Sequence, residues 1–125
     1  MIKSFLFVFI GGGLGSMLRF GLGKWINTLH SHHFPFGTLI VNIFACFVLG
    51  LLIGLADHKQ LFSPDTRLFW TAGFCGGFST FSTFSNETLE LLQGGFTLSA
   101  FLYIALSLLL CLAATFGGLY SGEHL

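Results

Sequence analysis

The chain has 125 residues, 54% hydrophobic and 8% charged, with five Lys and Arg balanced by five Asp and Glu; the mean hydropathy is +0.85. An ordinary soluble domain carries about 25% charged residues, so this composition excludes one and specifies an integral membrane protein. So few basic residues, without a basic patch, also exclude a nucleic-acid-binding role.

A spanning helix takes about 20 mainly apolar residues. Four such runs occur, at 4–27, 36–56, 68–92 and 97–120, and the connections between them are short. The expected fold is therefore all-α: a single domain over residues 1–125 with four transmembrane helices, the third broken mid-membrane.

In the first run, Lys3 ahead of an apolar stretch imitates a signal peptide. No small-residue cleavage site follows and the run continues past Arg19, so the segment reads as a retained span. Gly11 and Gly15 form a close-packing pair, as do Gly50 with Gly54 and Gly73 with Gly77, suited to association between subunits or to packing within one. Arg19, near a membrane face, suits two roles: drawing anions into a vestibule, or anchoring the helix by snorkelling. The connection HSHHFP reads as a solvated loop rather than a metal site.

The second run, GTLIVNIFACFVLG, places Thr38 and Asn42 four residues apart on one helical face. An amide in lipid must find a partner or line a pathway. The connection DHKQLFSPDT follows.

The third run holds GFCGGFSTFSTFSN, with three glycines, five hydroxyl residues and a phenylalanine at every third position. Gly76 and Gly77 each lower helix stability by about 1 kcal/mol relative to alanine, which predicts a break there. Carbonyls freed over Gly76 to Ser79 suit a small hard cation such as sodium, although close packing is a competing use of the same glycines. The edges of the Phe78, Phe81 and Phe84 rings carry partial positive charge and suit an anion, with hydroxyl donors beside them; core or lipid packing is the competing reading. Glu87 follows as an interfacial carboxylate with no role assigned by its position.

After the reversal QGGF, the fourth run repeats Tyr103, Ser107 and Cys111 every four residues in one row. Cys46, Cys75 and Cys111 lie in different runs and read as small packing residues. The polar groups of the second, third and fourth runs together suggest a narrow track of neutral donors, which fits a desolvated anion better than a cation. Lys3, Lys59 and Arg67 fall on one side of the membrane and Arg19 and Lys24 on the other, so little charge bias fixes orientation and an antiparallel dimer is permitted.

GGGLGSMLRF, GTLIVNIFACFVLG, GFCGGFSTFSTFSNE and the Tyr103–Ser107 row resemble, in order and spacing over nearly the whole chain, the signatures of the small bacterial fluoride channels called Fluc or CrcB. The resemblance implies a dual-topology antiparallel homodimer in the bacterial inner membrane, multi-pass. It further implies two pores, a structural sodium ion at the interface and passive fluoride export that relieves toxicity. By motif position it implies that Phe81 and Phe84 are the pore-lining pair, with Phe78 outside it. Asn42 would donate to fluoride, Thr38, Tyr103 and Ser107 would line the track, Glu87 would lie near the track's hydroxyl residues, and Arg19 would sit at the vestibule. The backbone carbonyls of Gly76 and Ser79 would coordinate sodium, two from each subunit. Cys111 stands where a hydroxyl residue is common, and Ala45 where a glycine is.

Two other classes compete. Small multidrug exporters also have four short helices, but they use a first-span glutamate and this first span has no acidic residue. A noncatalytic scaffold would use the polar residues for assembly alone. Enzymatic activity is not expected, because no paired catalytic carboxylates or phosphate-binding loop occur.

Overall fold

The computed structural model describes residues 1–59 and 63–125, and among these it is all-helical, with no strand. Helix α1 spans Ile2–Thr28 and α2 spans Phe36–Lys59. A broken path follows: α3 (Pro64–Leu68), a π-helical stretch Phe69–Cys75, α4 (Gly76–Phe78) and α5 (Phe81–Gln93). Helix α6 spans Thr97–Glu123. Among the described residues three helices are long and apolar enough to cross a membrane, within Ile2–Thr28, Phe36–Asp57 and Thr97–Glu123. The connection read at 57–66 lies partly outside the described residues, as does the Lys59 side chain used in the charge balance.

The start of the broken path follows from local chemistry. Ser63 caps α3 by accepting the Thr66 N–H at 3.3 Å, and Pro64 takes a first-turn position where its missing N–H costs nothing. At the other end, Gly95 adopts φ +84°, while Phe96 N–H donates to the Leu91 carbonyl at 2.8 Å and Gly95 N–H to that of Leu92 at 3.2 Å. This pair of bonds closes α5, and glycine alone takes the left-handed conformation without a Cβ penalty. QGGF is thus a tight reversal into α6.

The break does not fall at the glycines. Gly76 keeps a right-handed helical conformation, and the chain becomes extended only at Ser79 (φ −87°, ψ 161°) and Thr80 (φ −153°, ψ 122°). Thr80 is the N-cap of α5, its hydroxyl accepting the Thr83 N–H at 3.2 Å, so a capping residue fixes the break rather than weak propensity. The glycines serve proximity instead. A Cβ on Gly77 would collide with the Gly12 carbonyl, and one on Gly73 would lie 3.1 Å from that of Val8.

Two glycine seams therefore hold the fold together. The α1 helix runs alongside the π-helical stretch and α4, with Gly11 and Gly15 against the backbone of Phe69 to Phe78. The α2 and α6 helices run parallel, Gly50 and Gly54 meeting Thr115 and Leu119 while Gly118 and Gly122 meet Phe47 and Leu51. Backbones that approach this closely gain dispersion contacts, the main attraction available between helices in lipid. The motifs that suited association between subunits are thus used within the chain. Phe78, 1% exposed, packs with Val41 and Ala45 against Leu22 and Ile26, while Tyr103 joins Leu39, Phe84, Leu91 and Ala100 in a second cluster.

Candidate functional site

The interruption at Ser79–Thr80 needs partners for its backbone, because unpaired amides are costly in lipid. Asn42 on α2 supplies them: its side-chain oxygen accepts the Thr80 N–H at 2.9 Å and its amide donates to the Thr80 carbonyl at 3.1 Å. One amide hydrogen of Asn42 is thereby engaged and the second is left. Thr80 N–H would otherwise close the helical bond to the Gly76 carbonyl. Its diversion leaves that carbonyl without its helical donor, while Ser79 N–H and hydroxyl both donate to Cys75, at 3.0 and 2.9 Å.

Arg19 serves the same break. Its Nε donates to the Gly77 carbonyl at 3.0 Å, and Ser16 reaches the same oxygen at 3.5 Å. Charge-assisted bonding of a freed carbonyl explains why a cation sits on this face of α1. Arg19 also lines a concavity of about 190 Å³ with Lys24, Thr38, Thr80, Thr83 and Glu87. One side chain thus both caps a freed carbonyl and lines this concavity.

On the other side of Thr80 lies a second pocket of about 250 Å³, lined by Asn42, Cys46, Ser79, Thr80, Phe81, Phe84, Ser107, Leu108, Cys111 and Leu112. It gathers most of the residues expected to line a track. The Phe81 and Phe84 rings stand 5.3 Å apart at 49°; Phe84 is 9% exposed, whereas Phe81 is 74% exposed. Phe84 also leans on Tyr103, with centroids 5.0 Å apart. Phe78 faces away into the core, stacked on Phe74.

The row on α6 divides by function. Tyr103 is fully buried and its hydroxyl donates to Glu87 Oε1 at 3.0 Å, with the Thr38 hydroxyl beside the same carboxylate. Their donors are thus directed at Glu87 rather than into the larger pocket. Ser107, 7% exposed, has a hydroxyl with no hydrogen-bond partner among the described residues. A buried hydroxyl left unpaired costs free energy comparable to a lost hydrogen bond. Glu87 is the residue that its position in the sequence left without a role. It lines the smaller concavity and also an outer pocket of about 280 Å³ with His30, His32, His33 and Glu90, so it joins the two. A signal for it lay in its spacing from Tyr103, which only the α5–α6 reversal brings into register.

Gly76 and Ser79 line a small concavity of about 120 Å³ with Ala45, Cys46, Leu49, Thr71 and Cys75. Among the described residues no group of three or more His, Cys, Asp or Glu side chains forms a metal site. The oxygen groups at this concavity include the backbone carbonyls of Gly76 and Ser79, the first lacking its helical donor.

The sequence matches the family described as CrcB-like protein, Camphor Resistance (CrcB), over residues 6–119. It is 42% identical over 124 residues to a protein of Flavobacterium psychrophilum named "Fluoride-specific ion channel FluC", covering 99% of this chain and 100% of that one. A protein of Phocaeicola vulgatus with the same name is 43% identical over 122 residues, covering 98% of this chain and 100% of the relative. A third of that name, from Leptospira interrogans, is 36% identical over 118 residues, covering 94% and 93% of the two chains.

Proposed function

The chain belongs to the CrcB-like family, and on that premise we propose that it is a fluoride-selective channel that lets the ion leave the cytoplasm passively. The observation that carries this reading is the unpartnered Ser107 hydroxyl on the pocket shared with Asn42, Phe81 and Phe84. Fluoride is small, strongly hydrated and a strong acceptor. A path for it must replace water with neutral donors at close quarters, yet hold it weakly enough for release.

The residues divide that work. Arg19 and Lys24 raise the local anion concentration at the smaller concavity. Thr38 and Tyr103 surround Glu87, and a shift of their hydroxyls from the carboxylate to an arriving anion would pass the ion inward. Asn42 offers its second amide hydrogen and Ser107 its hydroxyl, while ring edges of Phe81 and Phe84 supply positive potential without charge. Glu87 sits beside the path, but a passive mechanism requires no proton coupling from it.

The assembly proposed is an antiparallel homodimer of dual topology in the bacterial inner membrane, with two pores. The near-even distribution of basic residues supports dual insertion. The backbone carbonyls of Gly76 and Ser79, which line one concavity, would hold a sodium ion together with those of a second copy facing the first. An ion held there would supply positive charge near mid-membrane, offsetting the cost of an anion at that depth. Gly76 and Ser79 contribute backbone oxygen alone, so their side-chain identity matters only through conformation.

Liposomes loaded with potassium fluoride and containing the purified protein test the function. With valinomycin present to relieve voltage, a fluoride electrode should record rapid efflux, and chloride-loaded controls should retain their anion. Equal release of both anions, or none from a verified dimer, would overturn the reading.

A further inference from the structure

Cys46 on α2 and Cys111 on α6 both line the pocket that holds Phe81, Phe84 and Ser107. Their shared level in the seam is built into the fold. A turn beyond each cysteine the parallel helices meet backbone to backbone, Gly50 against the Thr115 carbonyl, so the two thiols cannot drift apart by helix movement alone. Cys75 approaches Cys46 from the other side but lines the smaller concavity with Gly76 and Ser79, not the anion pocket. All three cysteines are free.

Two thiols without a carboxylate or imidazole among the pocket's lining residues make a soft and sparse donor set. Tetrahedral zinc needs more ligands, and hard cations need oxygen. Soft d10 ions that accept two sulfur ligands fit it. We propose that Cys46 and Cys111 form a two-coordinate thiolate site for a soft d10 metal ion, with mercury(II) as the defining probe, and that an ion bound there obstructs the anion pocket. Each S–H gives its proton to solvent and each sulfur donates an electron pair to the metal; nothing is oxidised or reduced. A divalent ion with two thiolates is neutral, so the complex places no net charge in lipid. The obstruction rests on the channel reading, whereas the binding does not.

Two measurements separate these claims. In the full-length Cys75→Ala protein, a mercuric nitrate titration followed by counting maleimide-reactive thiols should show one ion protecting both remaining thiols. One ion per thiol, or no protection, would overturn the site. In fluoride-loaded liposomes, mercuric nitrate should reduce efflux to the level of protein-free vesicles, and excess dithiothreitol should restore it. Compared each with its own untreated control, Cys46→Ala and Cys111→Ala should lose this block, while Cys75→Ala should keep it. Block that persists in both of the first two variants at the same mercury concentration would sink the proposal. Absence of fluoride efflux before mercury is added would instead count against the channel reading, with the thiol count still deciding the site.

Discussion

The Asn42 side-chain amide pairs with both backbone groups of Thr80, spanning the gap between α2 and the broken path with bonds of 2.9 and 3.1 Å. It acts as a surrogate strand edge for one residue that neither flanking helix can satisfy. Asn42→Leu keeps the volume but strands a part-buried N–H and carbonyl. At about 1–3 kcal/mol for each unsatisfied group, the variant should be destabilised by several kcal/mol and should also lose fluoride flux. A thermal melt in detergent beside the efflux assay checks both. A variant as stable as the parent would mean that water or lipid headgroups satisfy Thr80 instead.

The two pore phenylalanines should separate stability from conduction. Phe84 is buried against Tyr103, whereas Phe81 is 74% exposed in the single chain. Phe84→Ile should lower stability by about 1–2 kcal/mol through imperfect repacking, and Phe81→Ile should leave the melting temperature unchanged. Both should suppress fluoride efflux, because an aliphatic group fills space without a polarised edge. Normal flux in both variants would remove ring edges from the mechanism.

Much of this was legible in the sequence because lipid imposes simple rules. Apolar length identified the long helices α1, α2 and α6, and the glycines and hydroxyls of 73–86 announced an interrupted third path. The place of the interruption was misread for a physical reason. Helix propensity is a weak prior, and the N-cap chemistry of Thr80 with Thr83 outranked the low propensity of Gly76 and Gly77. Tertiary pairings were not legible from periodicity. That Asn42 would meet Thr80, or that Gly118 and Gly122 would answer Gly50 and Gly54, depends on helix register across loops, and only the family resemblance placed Glu87 near hydroxyl residues such as Tyr103. The sharing of one pocket by Cys46 and Cys111 was hidden in the same way, since neither CxxC spacing nor a shared span advertised it.

Glycines of two neighbouring helices, Gly50 on α2 and Gly13 on α1, should respond very differently to the same added methyl group. A Cβ at Gly50 would collide with the Thr115 carbonyl, while one at Gly13 would meet nothing within 4 Å. Gly50→Ala should destabilise the α2–α6 seam by about 1–3 kcal/mol. Gly13→Ala should be neutral or slightly stabilising through helix propensity. Melting curves of the two variants check the assignment, and equal effects would show that the seam relaxes without cost.

Ser107 distinguishes a packing residue from an ion ligand most directly. Its hydroxyl is buried and has no hydrogen-bond partner among the described residues, so Ser107→Ala removes none of the hydrogen bonds seen there and relieves the desolvation cost of an orphaned donor. If the hydroxyl only filled space, the variant should match or exceed the parent in stability and conduct fluoride unchanged. If it replaces hydration on a passing anion, stability should hold or rise by up to about 1 kcal/mol while flux falls. Loss of one hydrogen bond to a charged group, about 1.5–3 kcal/mol, corresponds to a reduction of roughly ten- to a hundredfold when that contact limits conduction. Opposite movement of melting temperature and efflux rate is the expected result, because the cost of burying an unpaired donor is borne by the fold and its benefit is felt only by the ion.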